Sequence, residues 1–183
     1  MKIAVVGRGN VGGGLARFWR DAGHEVNEIG KEGGDVSGAD AVLFAVPGPA
    51  LADAVEKVQG LGGKTTIDAT NLIGNEPPSG FQSNAEFLKS KTNGPTAKSF
   101  NLNFARAYEQ LKNTRARPSN IWTGDEEARA VVEQLNRDAG YEPVYAGGLE
   151  NARAQEAMLG MFFAINQNGL GPFVYRMAPP DKL

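Results

Sequence analysis

Short apolar runs alternate with longer amphipathic stretches over most of the chain. The apolar runs are too short for buried helices and are bounded by glycine or polar residues, which is typical of buried strands. The pattern predicts seven strands, at residues 2–6, 25–29, 40–46, 65–68, 96–100, 121–123 and 142–145.

The stretches between these strands repeat apolar side chains at helical spacing. They predict helices at residues 10–22, 51–58, 104–111, 125–139 and 150–166, with Asp125 as the cap of the fourth. Gly23 follows the first helix and can end it in the left-handed conformation. Strands and helices in alternation predict an α/β fold: a Rossmann-like, doubly wound, mostly parallel sheet with helices on both faces.

Two segments interrupt the alternation without dividing the chain. Residues 31–39 are too few and too rich in glycine for a crossover helix, and residues 71–84 form a loop rich in Gly, Pro, Asn and Ser. We therefore expect a single domain over residues 1–183, in which residues 149–183 form a C-terminal helix and a tail. The aromatic segment 170–176 is expected to close over a functional site or to pack against a second subunit.

The composition is that of an ordinary globular protein and argues against several kinds of partner and location. The 183 residues are 41% hydrophobic and 22% charged, with a net charge of -2 and no long run of one sign. This balance gives no indication of nucleic acid or of an anionic membrane as a partner. The longest apolar run, residues 158–165, is too short to span a bilayer, and a strand starting at residue 2 predicts no signal peptide. We therefore expect a cytoplasmic protein.

The residue types that are missing also limit the chemistry. The sequence contains no cysteine, which excludes disulfides, thiolate catalysis and cysteine metal sites. A single histidine, His24, is too few for a histidine-based metal centre, so no metal is expected. His24 lies at the turn into the second strand, where a structural role is the simpler interpretation.

A glycine-rich segment is the clearest functional motif. Residues 7–12, with Gly7, Gly9 and Gly12, fit the pattern G-x-G-x-x-G directly after a strand and at the start of a helix. The three glycines would permit a tight turn, close approach of a pyrophosphate and close packing of helix on strand, in that order. The helix start would then bind the phosphates, and the alternative is a glycine-rich turn without a ligand.

The end of the second strand distinguishes NAD from NADP. NAD enzymes place an acidic residue there, whereas NADP enzymes place a basic group near the 2′-phosphate. Gly30 stands at this position, Lys31 follows it, and Arg8 can reach the same region, which favours NADP(H). Glu28 and Glu32 flank the site, and their negative charges weaken this interpretation. A shift of one residue in the alignment would bring Glu32 closer to the 2′-phosphate position.

Several blocks together resemble the NADP oxidoreductases that use the deazaflavin coenzyme F-420. Related domains occur in STEAP metalloreductases and, more distantly, in pyrroline-5-carboxylate reductases. The resemblance covers most of the chain and is carried by residues 7–12, Gly23-His24-Glu25-Val26, Ala45-Val46-Pro47, Lys98-Ser99-Phe100-Asn101 and residues 146–153.

The resemblance implies where a cofactor and an acceptor would bind. It implies an acceptor pocket walled by the Gly147-Gly148 turn and the helix of Arg153, and a homodimer. Hydride transfer between stacked rings depends mainly on alignment, so the lack of an obvious catalytic dyad is no obstacle, and the catalytic residues stay open. The implied cofactor residues are Gly7, Arg8, Gly9, Asn10, Val11 and Gly12 at the pyrophosphate, Gly30 and Lys31 at the 2′-phosphate, Val46 and Pro47 at the adenosine, and Thr70, Asn71, Phe100 and Asn101 at the nicotinamide.

The chain departs from the family in two places that shape the acceptor site. The crossover after the second strand is much shorter, and the loop that begins at Asn71 is not the apolar, proline-bearing segment of the deazaflavin enzymes. Three residues keep two interpretations each. Asp68 is a buried carboxylate or a solvated strand end, Phe100 is core or a stacking platform, and Arg153 binds an anionic acceptor or a neighbouring carboxylate.

Three functions follow from these observations. The first is an NADP(H)-dependent oxidoreductase that transfers hydride between the nicotinamide and a small-molecule deazaflavin or flavin-like acceptor. The second is an NADP(H)-binding sensor without turnover. The third is a small metabolite or imine dehydrogenase, which would need a partner subunit to supply the helical substrate domain.

Overall fold

The computed structural model describes residues 1–182, except for the side chains of Lys112 and Lys182. The strands are β1 Lys2–Val6, β2 Glu25–Ile29, β3 Gly34–Asp35, β4 Ala41–Phe44, β5 Val58–Gln59, β6 Thr65–Asp68, β7 Thr96–Lys98, β8 Ser119–Gly124 and β9 Glu142–Tyr145. The α-helices are α1 Asn10–Asp21, α2 Leu51–Glu56, α3 Asn84–Thr92, α4 Arg129–Asp138 and α5 Ala152–Ile165. Short 3-10 helices are Gly48–Ala50, Ala105–Asn113, Glu126–Ala128, Leu149–Asn151 and Pro180–Lys182, and Asn166–Leu170 is a π-helical turn.

Seven strands form one sheet in the order β2-β1-β4-β6-β7-β8-β9, and β3 pairs with β5 in a separate ribbon. All pairs in the main sheet are parallel except β7 with β8. The chain moves from β1 outward to β2 and then returns to the other side of β1. This reversal of strand order is the point where doubly wound sheets bind their ligands. The predicted Rossmann-like, mostly parallel α/β fold is therefore confirmed.

Helices cover both faces of the sheet, so its central strands are buried on both sides. Residues 3–6 of β1 are all buried, as expected of a continuous apolar run in a parallel sheet. The core on one face, beneath α1 and α4, includes Leu15, Trp19, Trp122, Leu135 and Tyr141. The core on the other face, beneath α2 and α3, includes Phe44, Leu51, Val55, Phe87 and Leu88.

The structure corrects several predicted elements. The strands predicted at residues 40–46 and 96–100 are shorter, and the helix predicted at residues 104–111 is a 3-10 helix. The helix α3 lies directly after the predicted loop and was missed. Asp125 does not cap a helix with its side chain. Its carboxylate instead accepts hydrogen bonds from the Lys89 ammonium at 2.6 Å and the Thr96 amide at 2.8 Å, which ties β7 to α3.

The aromatic tail packs on its own chain. The Ser119 amide donates to the Tyr175 carbonyl at 2.7 Å, at the start of β8. The rings of Phe173 and Tyr175 lie 5.3 and 5.1 Å from that of Phe162 on α5. The tail thus covers α5 and β8, which corrects the expectation that it closes over the site. Within residues 1–182, no helix combines the length and apolar character needed to cross a membrane.

Candidate functional site

The glycine-rich loop has the geometry that close approach of a ligand requires. Gly7 has φ +111°, and a Cβ there would stand 2.5 Å from the Ala45 carbonyl oxygen. A Cβ on Gly12 would collide with the carbonyl of Gly7, so α1 can start this close to β1 only with glycine. A Cβ on Gly9 would meet nothing within 4 Å, so the loop is open at that residue.

The start of α1 offers its amide groups without competition from side chains. Gly9 is the N-cap residue, no side chain caps the helix, and its first turn holds no acidic residue. The first amides of a helix lack partners within the helix, and the helix dipole favours an anion there. A hollow of about 430 Å³ opens beside this end of α1, between Arg8, Asn10, Gly13 and Arg106. These features fit the phosphates of a dinucleotide.

The tip of β2 carries both a cation and an anion. The Arg8 guanidinium donates to the Glu28 carbonyl at 2.8 and 3.2 Å, which holds it at this tip, and Lys31 is exposed beside it. The Glu32 carboxylate lies 3.4 Å from Arg8 and 2.6 Å from where a Cβ of Gly30 would be. Although no carboxylate is attached at Gly30 itself, the short turn folds Glu32 back over the glycine, so Glu32 stands where it opposes NADP(H).

The remaining predicted cofactor residues lie at the carboxyl ends of the neighbouring strands. Val46 touches the glycine loop, since its Cγ1 lies 3.2 Å from where a Cβ of Gly7 would be, and Pro47 is exposed next to it. Asn71 and Asn101 are brought together: the Asn71 side chain donates to the Asn101 carbonyl at 2.9 Å and accepts from the Asn101 amide group at 3.0 Å. The loops after β6 and β7 are thereby joined.

Phe100 and Thr70 are buried rather than exposed to a ligand. The ring of Phe100 is 1% exposed and packs edge-on against Trp19, with centroids 5.8 Å apart. Its interpretation as core is confirmed, and its backbone adopts a positive φ of +65°. Thr70 is 1% exposed, and its hydroxyl accepts from the Asn84 side chain at 2.8 Å.

A buried ammonium lies beneath these loops. Lys98, at the end of β7, is 0% exposed, and its Nζ lies 2.9 Å from Asp68 Oδ2, 2.9 Å from the Thr70 carbonyl and 3.0 Å from Glu156 Oε2. Glu156 lies on α5, and its other carboxylate oxygen accepts from the Leu72 amide at 2.5 Å. We call Asp68, Lys98 and Glu156 the charge cluster. It anchors α5 and the loop after β6 to the sheet.

The charge cluster holds Lys98 in its protonated form. Burial alone lowers the pKa of Lys98, but the carboxylates of Asp68 and Glu156 outweigh that effect and raise it above its usual value. Asp68 is 0% exposed and also accepts from the Thr70 amide at 2.8 Å, so its interpretation as a buried carboxylate that orients this loop is confirmed. Sequence reasoning missed the roles of Lys98 and Glu156, although a lysine in an apolar strand is itself a signal of a buried partner.

A cleft opens above the charge cluster, between α5 and the loop after β6. Its volume is about 330 Å³. Glu156 forms part of its lining, and Arg153 lies at its rim, 3.8 Å from Glu76. Ile73, which also lines the cleft, has φ +39°, a strained value for a β-branched residue, and such strain is concentrated at functional sites. The other lining residues include Leu72, Pro77, Gln82, Ala157, Leu159, Gly160 and Phe163.

The Gly147-Gly148 turn does not line this cleft, contrary to expectation. Because β8 is antiparallel to β7 and β9 is parallel to β8, the chain leaves β9 at the opposite edge of the sheet. There the Gly124 amide donates a hydrogen bond to the Gly147 carbonyl at 3.0 Å. From there α5 returns toward the carboxyl edge of the sheet and brings Glu156 next to Lys98. Arg153, on the same helix, forms an ion pair with Glu76.

His24 lies outside this region. Its ring contacts the N-terminal amine at 3.1 Å and the Asp138 carboxylate at 2.7 Å, which ties β1 to α4 and confirms the structural interpretation. In the part of the chain that the structure describes, no three histidine, cysteine or acidic residues are placed to hold a metal ion.

The sequence matches no protein-family model significantly, and no curated protein matches it either. Solved structures do match. A protein from Arthrobacter sp. FB24, whose proposed function is that of an F-420-dependent NADP reductase, has a TM-score of 0.76 and 22% identity over 98% of this chain and 100% of its own. A hypothetical protein of Sinorhizobium meliloti has a TM-score of 0.61 and 23% identity, over 82% of this chain and 86% of its own.

Longer reductases share the same fold. The imine reductase of Streptomyces aurantiacus has a TM-score of 0.69 and 14% identity over 91% of this chain, which spans 62% of that enzyme. A reductive aminase of Aspergillus terreus, solved with NADPH and ethyl levulinate, has a TM-score of 0.65 and 15% identity over 92% of this chain and 63% of its own. At these identities the similarity establishes the Rossmann-like fold, in agreement with the resemblance found in the sequence.

Proposed function

We propose that this protein is an NADP(H)-dependent oxidoreductase that transfers hydride between the nicotinamide and a small-molecule acceptor. The observation that carries the proposal is the open glycine loop at the start of α1, located where the strand order reverses. The fold is that of several NADP-linked reductases, which supports the choice of chemistry.

The residues of the chain would bind and align rather than exchange protons. The amides at the start of α1, with Arg8, would bind the phosphates, and Val46 and Pro47 would border the adenosine. The joined side chains of Asn71 and Asn101 would hold the loops next to the nicotinamide. A bound nicotinamide supplies or accepts the hydride, and the protein's part is to hold its ring against the acceptor away from water.

For the acceptor we propose a deazaflavin or flavin-like ring bound in the cleft beside α5. The cleft lies at the carboxyl edge of the sheet, its walls are largely apolar, and α5 supplies one of them. The structural similarity to an F-420-dependent NADP reductase of the same length supports this class of acceptor. The chain would act as one domain in which residues 149–183 form the C-terminal helix and tail, and α5 completes the acceptor site.

We also propose that the protein acts as a homodimer in the cytoplasm. The side chains of Met161, Ile165 and Leu170 are 65%, 38% and 63% exposed near the outer end of α5, an apolar surface that a second copy could cover. Light scattering at two protein concentrations tests the oligomeric state, and a monomer at both would contradict the dimer.

The first experiment tests binding and selectivity. We expect NADPH to bind more tightly than NADH, and Arg8→Ala to weaken NADPH about tenfold, since a hydrogen bond to a charged group contributes about 1.5–3 kcal/mol. Lys31→Ala should weaken NADPH less, because its side chain is exposed. Calorimetric titration of the wild type and both variants with NADPH and with NADH gives the affinity of each variant relative to wild type for each cofactor. Equal affinities that neither substitution changes would overturn the choice of NADP.

The second experiment tests turnover. Oxidation of NADPH is followed by its near-ultraviolet absorbance with deazaflavin, free flavin, ferric chelates and a cyclic imine as acceptors. We expect turnover with a deazaflavin or flavin. Tight NADPH binding without turnover of any acceptor would instead support a sensor, and turnover of the imine alone would support a metabolite dehydrogenase.

A further inference from the structure

A chain of three side-chain amides runs from α5 to the carboxyl edge of the sheet. Gln155 on α5 is 3% exposed, and its Nε2 donates to Asn101 Oδ1 at 2.7 Å. Asn101 is 5% exposed, and its Nδ2 donates to Asn71 Oδ1 at 3.0 Å. The Nδ2 of the half-buried Asn71 in turn donates to the Asn101 carbonyl at 2.9 Å. We call Gln155, Asn101 and Asn71 the amide chain, which starts inside the protein and ends at its surface.

Backbone carbonyls fix the direction of the amide chain at both ends. The Gln155 Nε2 also contacts the Ile121 carbonyl at 3.2 Å and the Lys98 carbonyl at 3.4 Å. Because a carbonyl only accepts hydrogen bonds, the nitrogen of Gln155 has to face this way, and the nitrogen of Asn71 has to face the Asn101 carbonyl. A reversed Asn101 amide would place nitrogen against nitrogen and oxygen against oxygen. Each member of the amide chain therefore has one favourable orientation.

Gln155 uses only the donor end of its side chain. Its Oε1 is buried and has no hydrogen-bond partner within the described structure. A buried oxygen without a partner costs free energy of folding, and an apolar side chain of similar size would avoid that cost. This points to a requirement for the donor, and the shortest contact that the donor makes is the one to Asn101.

The outer end of the amide chain is rich in donors. An amide NH2 group carries two hydrogens, and Asn71 and Asn101 each use one of them on the other residue. One hydrogen remains on each nitrogen, whereas the Asn101 Oδ1 already accepts from Gln155. A ligand group beside this pair is therefore favoured if it accepts hydrogen bonds, as a carbonyl oxygen does.

The order of the strands determines which part of the proposed cofactor lies beside this pair. The glycine loop follows β1, and the strand on one side of β1 is β2, whose tip would lie at the adenosine half. Asn71 follows β6 and Asn101 follows β7, and both strands are on the other side of β1. A dinucleotide whose pyrophosphate lies at the start of α1 would extend its nicotinamide toward them. The nicotinamide carries a carboxamide, whose oxygen is an acceptor.

We propose that Gln155 is a positioning residue for the hydride transfer. It holds Asn101, and with it Asn71, so that their remaining N–H groups bind the carboxamide oxygen of the nicotinamide. The inference rests on the proposed function, to which it adds a residue outside the glycine loop and a rule for which rings the site accepts. A ring held by its carboxamide does not turn about its bond to the ribose, so one face of it stays toward the acceptor.

Two analogues of NADP+ test the inference by calorimetric titration. The 3-acetylpyridine analogue carries a group that only accepts hydrogen bonds, and the 3-aminopyridine analogue carries one that donates. We expect the wild type to bind the acetyl analogue about fivefold more tightly, the effect of one hydrogen bond. Gln155→Met removes the donor at similar size and should lower this ratio to about two, because Asn101 loses its anchor. Gln134→Met, at an exposed position of α4, is the control and should leave the ratio unchanged.

A second variant covers the case in which Gln155→Met does not fold. Asn101→Asp replaces the NH2 group that faces Asn71 by an oxygen and keeps the acceptor for Gln155, so it should abolish or reverse the preference. A ratio of two affinities is not changed by partial unfolding, which separates positioning from stability. Equal binding of both analogues by the wild type, or a preference that neither variant changes, would overturn the inference. Failure of the proposed function would look different, because NADP+, NADPH and both analogues would then not bind, and the inference would fall with it.

Discussion

At the scale of single residues, Arg8, Gly30 and Glu32 meet at the tip of β2, where the proposed NADP(H) would place its 2′-phosphate. Arg8 is held by a backbone carbonyl, and Glu32 folds back toward it over Gly30, the residue that leaves this space free. A bound 2′-phosphate would have to compete with the Glu32 carboxylate for the same guanidinium. Glu32 therefore opposes NADP(H), whereas a 2′-hydroxyl could donate to it.

Removing that carboxylate should tighten NADPH binding. We expect Glu32→Gln to raise NADPH affinity about two- to fivefold, the range for an exposed charge pair, and not to raise NADH affinity. Glu25→Gln is the control, because Glu25 lies at the start of β2, away from Arg8, and its side chain is about as exposed as that of Glu32. Titrations at two salt concentrations should show the difference shrinking as salt rises. Identical NADPH affinities for the two variants would show that Glu32 does not compete.

Residue patterns predicted part of this site and missed the rest for a physical reason. The glycine loop is recognisable because Gly7 and Gly12 stand where a Cβ would collide with the backbone between β1 and α1, while Gly9 leaves the loop open. Lys98 and Glu156 could not be paired from the sequence, because their contact depends on α5 crossing back to the sheet after β9. The position of Glu32 depends on how a short turn folds, which spacing alone does not determine.

At the scale of elements, α3 shows how a helix can escape pattern recognition. Its buried side chains include Asn84 and Thr92 as well as Phe87 and Leu88, so polar and apolar positions do not separate by face. Its start does carry a signal, the pattern S-x-x-E. Ser83 accepts from the Glu86 amide at 3.2 Å, and Glu86 accepts from the Gln82 amide at 2.7 Å.

The cap at Ser83 should contribute measurably to stability. We expect Ser83→Ala to lower the free energy of unfolding by about 1 kcal/mol, because it leaves a helix amide without its acceptor. Ser90→Ala, inside the same helix, is the control and should cost nothing, since alanine favours a helix more than serine does. Urea unfolding of the three proteins measures both values. Equal stability of Ser83→Ala and wild type would show that the cap contributes little.

At the scale of the whole molecule, several buried groups hold their protons above pH 10. Burial raises the pKa of Tyr108 and Tyr141 well above the ordinary value of 10.0, and raises that of Tyr175 to about 12. The pKa of Lys98 is also raised, as described for the charge cluster. In the unfolded chain these groups would lose their protons at ordinary values, so the unfolded state binds fewer protons in strong alkali.

Stability should therefore be independent of these groups below pH 10 and fall above it. Each proton lost first by the unfolded chain lowers the free energy of unfolding by roughly 1.4 kcal/mol per pH unit. Urea unfolding at successive pH values measures the slope. Tyr108→Phe should make it shallower without loss at neutral pH, because the Tyr108 hydroxyl has no hydrogen-bond partner within the described structure. An unchanged slope would show that Tyr108 does not contribute.

The burial of both tryptophans has an optical consequence. Trp19 and Trp122 are 0% exposed within one core, and Trp19 belongs to the helix whose first residues form the glycine loop. Both indoles should therefore emit as a single, blue-shifted population until the protein unfolds. Only the reduced nicotinamide absorbs in the region of that emission, so energy transfer would quench the protein when NADPH binds and not when NADP+ binds. With the proposed cofactor bound, the native chain would thus carry its own reporter of the redox state of the nicotinamide.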